Sequence, residues 1–284
     1  MFYLLALGSA VLYGAADFTG GIATRRAGTL SVVLFSQLSG LVFLALLLPF
    51  LPEASPSRSD LFWGVAAGLT GGAGVALLYR ALAIGKMAVV APTTAVCAVA
   101  IPVVVSVLLG ERPLPLAVGG IVLGIVSIVL VSRQGPVPDG ASSSQPRSTG
   151  VGTALASGVA IGFFFLSLAQ TRTAAGMWPL LVARGTSVSL FALMATLRVR
   201  SLRMPARIAW LTVGCGIVDM LANALYMLAS RQGPLSLAVT LSSLYPASTV
   251  LLARVVLGER LNPWQITGIG CALAAVVLIV QAGG

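Results

Sequence analysis

Long apolar stretches follow one another along almost the whole chain, and charged residues are confined mostly to the short gaps between them. Hydrophobic residues make up 58% of the 284 positions and charged residues 8%, whereas a soluble domain carries roughly 25% charged residues. A bilayer core about 30 Å thick requires roughly 20 apolar residues per spanning helix. Helices also satisfy their own backbone hydrogen bonds where lipid offers none. The composition therefore predicts an all-α membrane protein that crosses the bilayer many times.

Clusters of Pro, Gly, Ser and Arg divide the chain into ten apolar segments, each long enough to span a bilayer as a helix. The segments are 2–22, 30–51, 60–82, 87–109, 114–132, 151–170, 177–197, 208–230, 234–257 and 263–281. Tryptophan prefers the membrane–water boundary, so it is expected near segment ends. The four tryptophans do fall at such positions, namely Trp63, Trp178, Trp210 and Trp264. The sequence thus predicts ten transmembrane helices.

A charged turn occurs twice in the chain. Residues 107–120 read VLLGERPLPLAVGG and residues 255–268 read VVLGERLNPWQITG, which places Glu111 and Glu259 148 residues apart. The same offset superposes other small residues without a gap, among them Ser9 on Ser157, Gly14 on Gly162, Ser39 on Ser187, Gly68 on Gly216, Gly85 on Gly233 and Gly120 on Gly268. A fixed offset that serves all five pairs of segments indicates a tandem repeat.

The offset predicts two five-helix repeats, residues 1–134 and 149–284, joined by a polar linker at 135–148 that is rich in Pro, Gly and Ser. Because each repeat has an odd number of helices, the second enters the membrane from the opposite side. This inverted arrangement is typical of transporters that open a central site to each side in turn. The two charged turns then lie on opposite membrane faces, so they cannot combine into one active site.

The residue types in the two turns suggest a common structure. A glycine ends one helix, and a glutamate lies just ahead of the proline that begins the next, where the carboxylate can meet the positive end of that helix. Two roles stay open, a well-capped turn at the membrane interface and a part of a gate. The residues are Gly110, Glu111 and Pro115 in the first turn and Gly258, Glu259 and Pro263 in the second.

Several classes of function are disfavoured. The net charge of +10 comes mainly from residues between apolar segments, so we interpret it as a topology signal and expect no nucleic-acid partner. The chain has no histidine, and Cys97, Cys215 and Cys271 lack the spacing of a metal site. It also has no phosphate-binding GxxxxGK[ST] loop. We therefore expect no enzyme activity, no metal and no cofactor, and an intramembrane enzyme is a disfavoured rival.

The ten segments, the tandem repeat and the LGER turns followed by proline resemble the drug/metabolite transporter superfamily, in particular its EamA-domain members. The resemblance is strongest over 85–132 and 233–281. It implies a multi-pass secondary carrier of the cell membrane, often an exporter, for small organic metabolites such as amino acids. A multidrug or nucleotide-sugar carrier is an alternative within this class. A non-transporting membrane assembly factor or receptor is an alternative outside it.

Polar residues inside the apolar segments are the candidates for substrate binding, because an ionisable group in mid-membrane costs about 2.5 kcal/mol or more and usually faces a cavity or a partner. Spacings of four and seven place three of them on one stripe of the eighth helix, and two more share a stripe of the first. Hydroxyl groups can instead bond to helix backbone. The predicted set is Asp219, Asn223, Tyr226, Tyr13, Asp17, Arg184, Thr94 and Ser243.

The charged residues bear on proton coupling and on the orientation of the chain in the membrane. A carboxylate that takes up a proton when buried can exchange it for cargo, so Asp17 and Asp219 are candidates to use protons as a coupling ion.

Loops after odd-numbered helices hold ten Lys and Arg residues against four after even-numbered helices, which places both termini outside by the positive-inside rule. The family resemblance implies both termini inside. Orientation, substrate, direction of transport and oligomeric state stay open at this point.

Overall fold

The computed structural model describes residues 1–108, 115–132, 150–197, 202–232, 241–242 and 244–282. Within these ranges the chain folds into ten α-helices and two short 3-10 turns, and it forms no β-strand. The all-helical fold agrees with the predicted class. The helices are α1 (Phe2–Arg26), α2 (Thr29–Leu47), α3 (Arg58–Ile84), α4 (Met87–Leu108), α5 (Pro115–Ser132), α6 (Val151–Ala169), α7 (Trp178–Leu197), α8 (Ala206–Gln232), α9 (Tyr245–Leu257) and α10 (Pro263–Ala282).

Local chemistry explains where several helices begin and end. At the start of α3, the Asp60 carboxylate accepts the N–H of Ser57 at 2.7 Å, and the Ser57 hydroxyl accepts the N–H of Asp60 at 3.3 Å, which forms a capping box. Pro115 and Pro263 begin α5 and α10, where a missing N–H leaves no partner unsatisfied. Gly258 ends α9 with a left-handed φ of 64°, a conformation that favours glycine.

Six helices are long and apolar enough to cross a membrane by themselves, namely α1, α2, α3, α6, α7 and α8. Each has an apolar stretch of at least 18 residues. The apolar stretches that are described in α4, α5, α9 and α10 are shorter, at 10 to 17 residues. The prediction of many apolar helices therefore holds, and the prediction that all ten span the bilayer stays a prediction.

The ninth helix differs from its predicted extent of 234–257. Among the described residues, Leu241 and Ser242 are helical, Leu244 forms a turn and α9 begins at Tyr245, so the predicted segment is interrupted just before Pro246. Pro246 lies in the first turn of α9, where proline is tolerated because that N–H has no helical partner. Residues 233–240 and 243 lie outside the described residues.

Four hydrogen bonds between the two halves of the chain form two pairs that obey the 148-residue offset. Within a pair, the two donors are 148 positions apart in the sequence, and so are the two acceptors. The first pair runs from Ser9 to the carbonyl of Ala222 (3.0 Å) and from Ser157 to that of Gly74 (2.8 Å). The second pair runs from Thr94 to the carbonyl of Ala154 (3.2 Å) and from Ser242 to that of Ala6 (3.3 Å). Equivalent residues thus make equivalent contacts.

Two glycines that are equivalent under the same offset lie at the closest helix crossings. A Cβ added to Gly68 in α3 would lie 2.5 Å from the carbonyl oxygen of Ala183 in α7. A Cβ added to Gly216 in α8 would meet the carbonyl oxygen of Ser36 in α2. Small residues let helix backbones approach in this way. The crossings of α3 with α7 and of α8 with α2 are therefore alike.

Two pairs of helices that are equivalent under the offset run antiparallel. Ser127, in the last third of α5, donates to the carbonyl of Gly268 in the first third of α10 at 2.7 Å. Glu259, just beyond the end of α9, contacts Met87, the first residue of α4. Helices α5 and α10 are equivalents under the offset, and so are α4 and α9. In both pairs, the end of one helix thus lies beside the start of its equivalent.

The helix directions define two faces of the molecule. Arg25 in the last turn of α1 donates to the carbonyl of Gly85, just after the end of α3, at 3.1 Å. Helices α1 and α3 therefore end at the same face, which we call the second face and which also carries Glu259. They begin at the opposite, first face, where Asp60 lies in the first turn of α3.

Candidate functional site

An ion pair between α7 and α8 lies inside the helix bundle. Arg184 of α7 binds the carboxylate of Asp219 in α8, and its other terminal nitrogen donates to the Gln37 side-chain oxygen in α2. The side chains of Arg184 and Asp219 are 11% and 16% exposed, so each keeps a face that a water molecule could contact. A charge in this position is costly unless it is paired. The pairing explains how both ions are held within the bundle.

The predicted stripe on α8 contributes further to this ion pair. Asn223 is buried one turn after Asp219, and its Nδ2 donates to the Asp219 backbone carbonyl at 2.8 Å. The same nitrogen lies 3.5 Å from Oδ2 of the Asp219 carboxylate. The Asn223 amide therefore lies beside the carboxylate that Arg184 binds. Tyr226 follows on the same stripe and is partly buried.

Tyrosines and a second carboxylate from α1 lie against the ion pair. Tyr13 lies near Asp219, Arg184 and Tyr226. Its ring packs edge-on against Tyr245 at the start of α9, with 6.2 Å between ring centres. Asp17, one turn after Tyr13, is 8% exposed and accepts no hydrogen bond from the described residues. We call these residues the polar cluster: Tyr13, Asp17, Gln37, Arg184, Asp219, Asn223, Tyr226 and Tyr245.

The polar cluster contains most of the predicted substrate-binding residues. Six of the eight lie together in it. Thr94 is instead fully buried between α4 and α6, where its hydroxyl donates to the Ala154 carbonyl at 3.2 Å. Ser243 lies outside the described residues.

Two members of the cluster, Gln37 and Tyr245, are absent from the predicted set. The sequence does contain an indication for Gln37, because its amide side chain lies in the middle of a helix whose other residues are apolar or small. Both halves contribute side chains, so the cluster lies at their contact. Among the described residues, no group of His, Cys, Asp and Glu is arranged to hold a metal ion.

At the second face, Glu259 ties the charged turn of the second half to the first half. Its carboxylate accepts the N–H groups of Met87 at 3.1 Å and Ala88 at 3.2 Å, and it lies 3.6 Å from the Arg25 guanidinium. A helix N-terminus with its free N–H groups favours such a carboxylate. The sequence correctly predicted a helix N-terminus as the partner. The prediction that it belongs to the next helix, α10, is wrong, because the turn packs on α4 of the other half.

The next helix has a different cap. Asn262 accepts the N–H of Gln265 at 2.8 Å through its side-chain oxygen, in the first turn of α10. In the equivalent turn of the first half, Gly110 and Glu111 lie outside the described residues. Pro115 is described and begins α5, as Pro263 begins α10.

At the first face, Asp60 and Arg172 join the two halves. The Asp60 carboxylate accepts hydrogen bonds from Nη2 of Arg172 at 2.8 Å, from its Nε at 3.1 Å and from its backbone N–H at 2.9 Å. Asp60 begins α3, and Arg172 lies beyond the end of α6. The carboxylate raises the pKa of the Arg172 guanidinium, which therefore stays charged. Each face of the molecule thus has a charged contact between the halves among the described residues.

Sequence comparison assigns the family. A model of the EamA-like transporter family matches residues 1–133 and again residues 148–281, which together are nearly the whole chain. The chain belongs to the EamA-like transporter family. The predicted resemblance is therefore confirmed. Members of this family are transporters of small molecules rather than enzymes, and with its apolar helices the chain is a multi-pass membrane protein.

Structural comparison agrees with this assignment at the level of the fold. A solved structure described only as a crystal structure of a protein aligns over 99% of this chain and 97% of that chain, with a TM-score of 0.60. The two sequences are 19% identical, so the likeness concerns the fold alone. A comparison with curated proteins found no match.

Proposed function

We propose that this EamA-like transporter is a secondary carrier that moves a small organic metabolite, such as an amino acid, outward across the plasma or inner membrane by alternating access. The observation that carries the proposal is the polar cluster at the contact between the two halves. Alternating-access carriers with inverted repeats bind their substrate in such a position. The cluster combines a cation, two carboxylates and two amides in an otherwise apolar bundle.

The arrangement of the halves supports alternating access. We propose ten spanning helices in two inverted repeats, with residues 1–134 and 149–284 as the repeats and 135–148 as the linker. The offset-related hydrogen bonds support this, since they require similar contacts on both sides of a two-fold axis. The antiparallel course of α4 and α9 and of α5 and α10 supports the inversion. Rocking of one half against the other would then expose the cluster to either side.

The chemistry of the cluster suits a zwitterion. The Arg184 guanidinium can bind a substrate carboxylate through two parallel hydrogen bonds, and the Asp219 carboxylate can bind an ammonium group. In the described conformation the two groups bind each other, so a substrate would replace one internal ion pair by two external ones. Tyr13 and Tyr226 would offer the apolar remainder of the substrate a flat surface and a hydroxyl group each.

The charged contacts on the two faces would act as alternate ties between the halves. Opening the second face requires Glu259 to leave α4 and Arg25. Opening the first face requires Asp60 to leave Arg172. In an alternating cycle one contact is kept while the other breaks. This assigns the Glu259 turn to gating in addition to its structural role.

Proton coupling would involve the carboxylates of the cluster. Asp17 is buried and has no cation or donor of its own among the described residues, and a buried carboxylate without a partner can lose its charge by taking up a proton. Asp219 has Arg184 as its partner instead. We therefore propose Asp17 as the proton carrier and Asp219 as the substrate ligand. From the sequence, both residues were candidates for both roles.

Counterflow into proteoliposomes tests this function. Vesicles loaded with one amino acid at a time, and in a parallel series with drugs or nucleotide sugars, are scored for uptake of the labelled compound. We expect saturable counterflow of a zwitterion that is lost in Asp219→Asn and kept in the control Glu53→Gln, an exposed carboxylate outside the helices. Flux of drugs or nucleotide sugars alone would favour the alternative cargo. Binding without flux would favour a receptor.

A further inference from the structure

A hollow of about 370 Å³ lies on the second face beside the charged turn of the second half. Two arginines on its wall, Arg254 in the last turn of α9 and Arg260 in the turn itself, are exposed. Among the described residues, the ion pairs of this protein use Arg25, Arg172 and Arg184, so neither arginine of the hollow pairs with a carboxylate. The hollow therefore offers two uncompensated positive charges.

Among the described residues of the wall, Glu259 is the carboxylate, and it does not cancel these charges. Glu259 is 11% exposed, and its oxygens are taken up by the N–H groups at the start of α4 and by Arg25. Lys86 adds a further cation, because its ammonium group donates to the Arg260 carbonyl at 3.3 Å. The electrostatic balance of the hollow is therefore positive, and an anion with several acceptor oxygens fits it.

Apolar surface continues from the hollow along the helices. Leu251 and Val255, one turn apart on α9, are 61% and 73% exposed, and Ile266 of α10 forms part of the hollow wall. Trp264 is also exposed at the start of α10, as is usual at the level of lipid head groups. A ligand at this place would meet cations at one end and hydrocarbon at the other.

We propose that the hollow binds the phosphate head group of an anionic phospholipid, with its acyl chain along Leu251 and Val255. Arg254 and Arg260 bind the phosphate oxygens, and Ile266 contacts the glycerol end of the chains. Basic pockets beside apolar helix surfaces are suited to such lipids. The proposal is independent of the transported substrate. It gives the arginine of the second LGER turn a partner outside the protein.

Native mass spectrometry of the full chain in detergent tests the proposal. The probes are phosphatidylglycerol and phosphatidylcholine with the same acyl chains, each titrated alone and in the presence of inorganic phosphate. We expect tighter binding of phosphatidylglycerol, with a loss of about fivefold for each arginine removed in Arg254→Gln and Arg260→Gln. The control is Arg58→Gln, which removes an exposed arginine from the first face and should leave the affinity unchanged.

Several results would overturn the proposal. They are equal affinity for the two lipids, unchanged affinity in the double variant, an equal loss in Arg58→Gln, or displacement of the lipid by inorganic phosphate at matched concentration, which would indicate a site for free phosphate. Size-exclusion chromatography checks the fold of each variant. If the double variant is not folded, Arg260→Gln alone carries the test, because this side chain lies in a turn.

Discussion

The Arg184–Asp219 ion pair provides the sharpest prediction of stability. Asp219→Asn removes one charge and leaves Arg184 inside the bundle with only Gln37 as a described partner. Removing one partner of a buried pair costs about 3–5 kcal/mol. Because the two side chains keep 11% and 16% exposure, we expect the lower end of that range, about 3 kcal/mol of unfolding free energy.

The double variant distinguishes pairing from simple loss of packing. Arg184→Gln should also cost about 3 kcal/mol, since it leaves the Asp219 carboxylate without its cation. Arg184→Gln combined with Asp219→Asn leaves two neutral amides and no uncompensated charge. We therefore expect the double variant to cost less than either single variant, well below the sum of about 6 kcal/mol, which is a coupling of more than about 3 kcal/mol.

The assay is denaturant unfolding of the purified chain in detergent, for the four members of the cycle. Glu53→Gln serves as the control, because this exposed carboxylate lies before α3 and its loss should change stability by less than about 0.5 kcal/mol. Additive costs in the double variant would refute the reasoning. So would an Asp219→Asn variant no less stable than Glu53→Gln.

Three further predictions concern packing and the second face. Gly216→Ala places a Cβ against a backbone carbonyl of α2 and should cost about 1–3 kcal/mol in thermal unfolding, whereas Gly214→Ala has open space and should not destabilise. Ser9→Ala and Ser157→Ala each remove one of two equivalent hydrogen bonds, so both should cost about 1 kcal/mol. Glu259→Gln weakens the contact with the start of α4 and should cost about 1 kcal/mol, less at high salt.

Each of these predictions has a result that contradicts it. Equal stability of the two glycine variants would mean that α2 and α8 are not in close contact. Costs for the two serine variants that differ by more than about 1 kcal/mol would argue against equivalent environments. A Glu259→Gln effect that does not respond to salt would indicate that its carboxylate acts by packing rather than by charge.

The repeat was predictable from sequence because the residues that carry it are small or hydroxylated. Ser9 and Ser157 are short side chains that reach a neighbouring backbone, so the same residue type is needed at both equivalent places. Gly68 and Gly216 are needed where backbones touch. Such requirements leave a pattern at a fixed offset even where the apolar residues between them have changed.

The partners in the polar cluster were harder to predict. Spacing along α8 correctly placed Asp219 and Asn223 together, since both are on one helix. That Arg184 and Gln37 approach them from two other helices depends on how the helices cross, which spacing along one chain does not contain. The same reason applies to Glu259, whose carboxylate binds the start of α4 rather than that of the adjacent α10.

Thr94 shows the limit of residue type as a guide. The hydroxyl of a buried threonine in a transporter helix can bind either the substrate or a neighbouring backbone carbonyl. Its residue type and sequence position do not distinguish these two roles. In the structure its hydroxyl bonds to the Ala154 carbonyl, and the equivalent Ser242 bonds to Ala6. The equivalence of the two bonds favours a structural role, because a substrate need not be two-fold symmetric.

The inverted arrangement of the halves is the claim on which the transport cycle depends, and labelling the two LGER turns tests it most directly. In a background with Cys97, Cys215 and Cys271 replaced by Ala, single cysteines at Glu111→Cys and Glu259→Cys are exposed to a membrane-impermeant maleimide from one side of sealed vesicles. The account predicts that the two positions react from opposite sides. Reaction of both from the same side would contradict it.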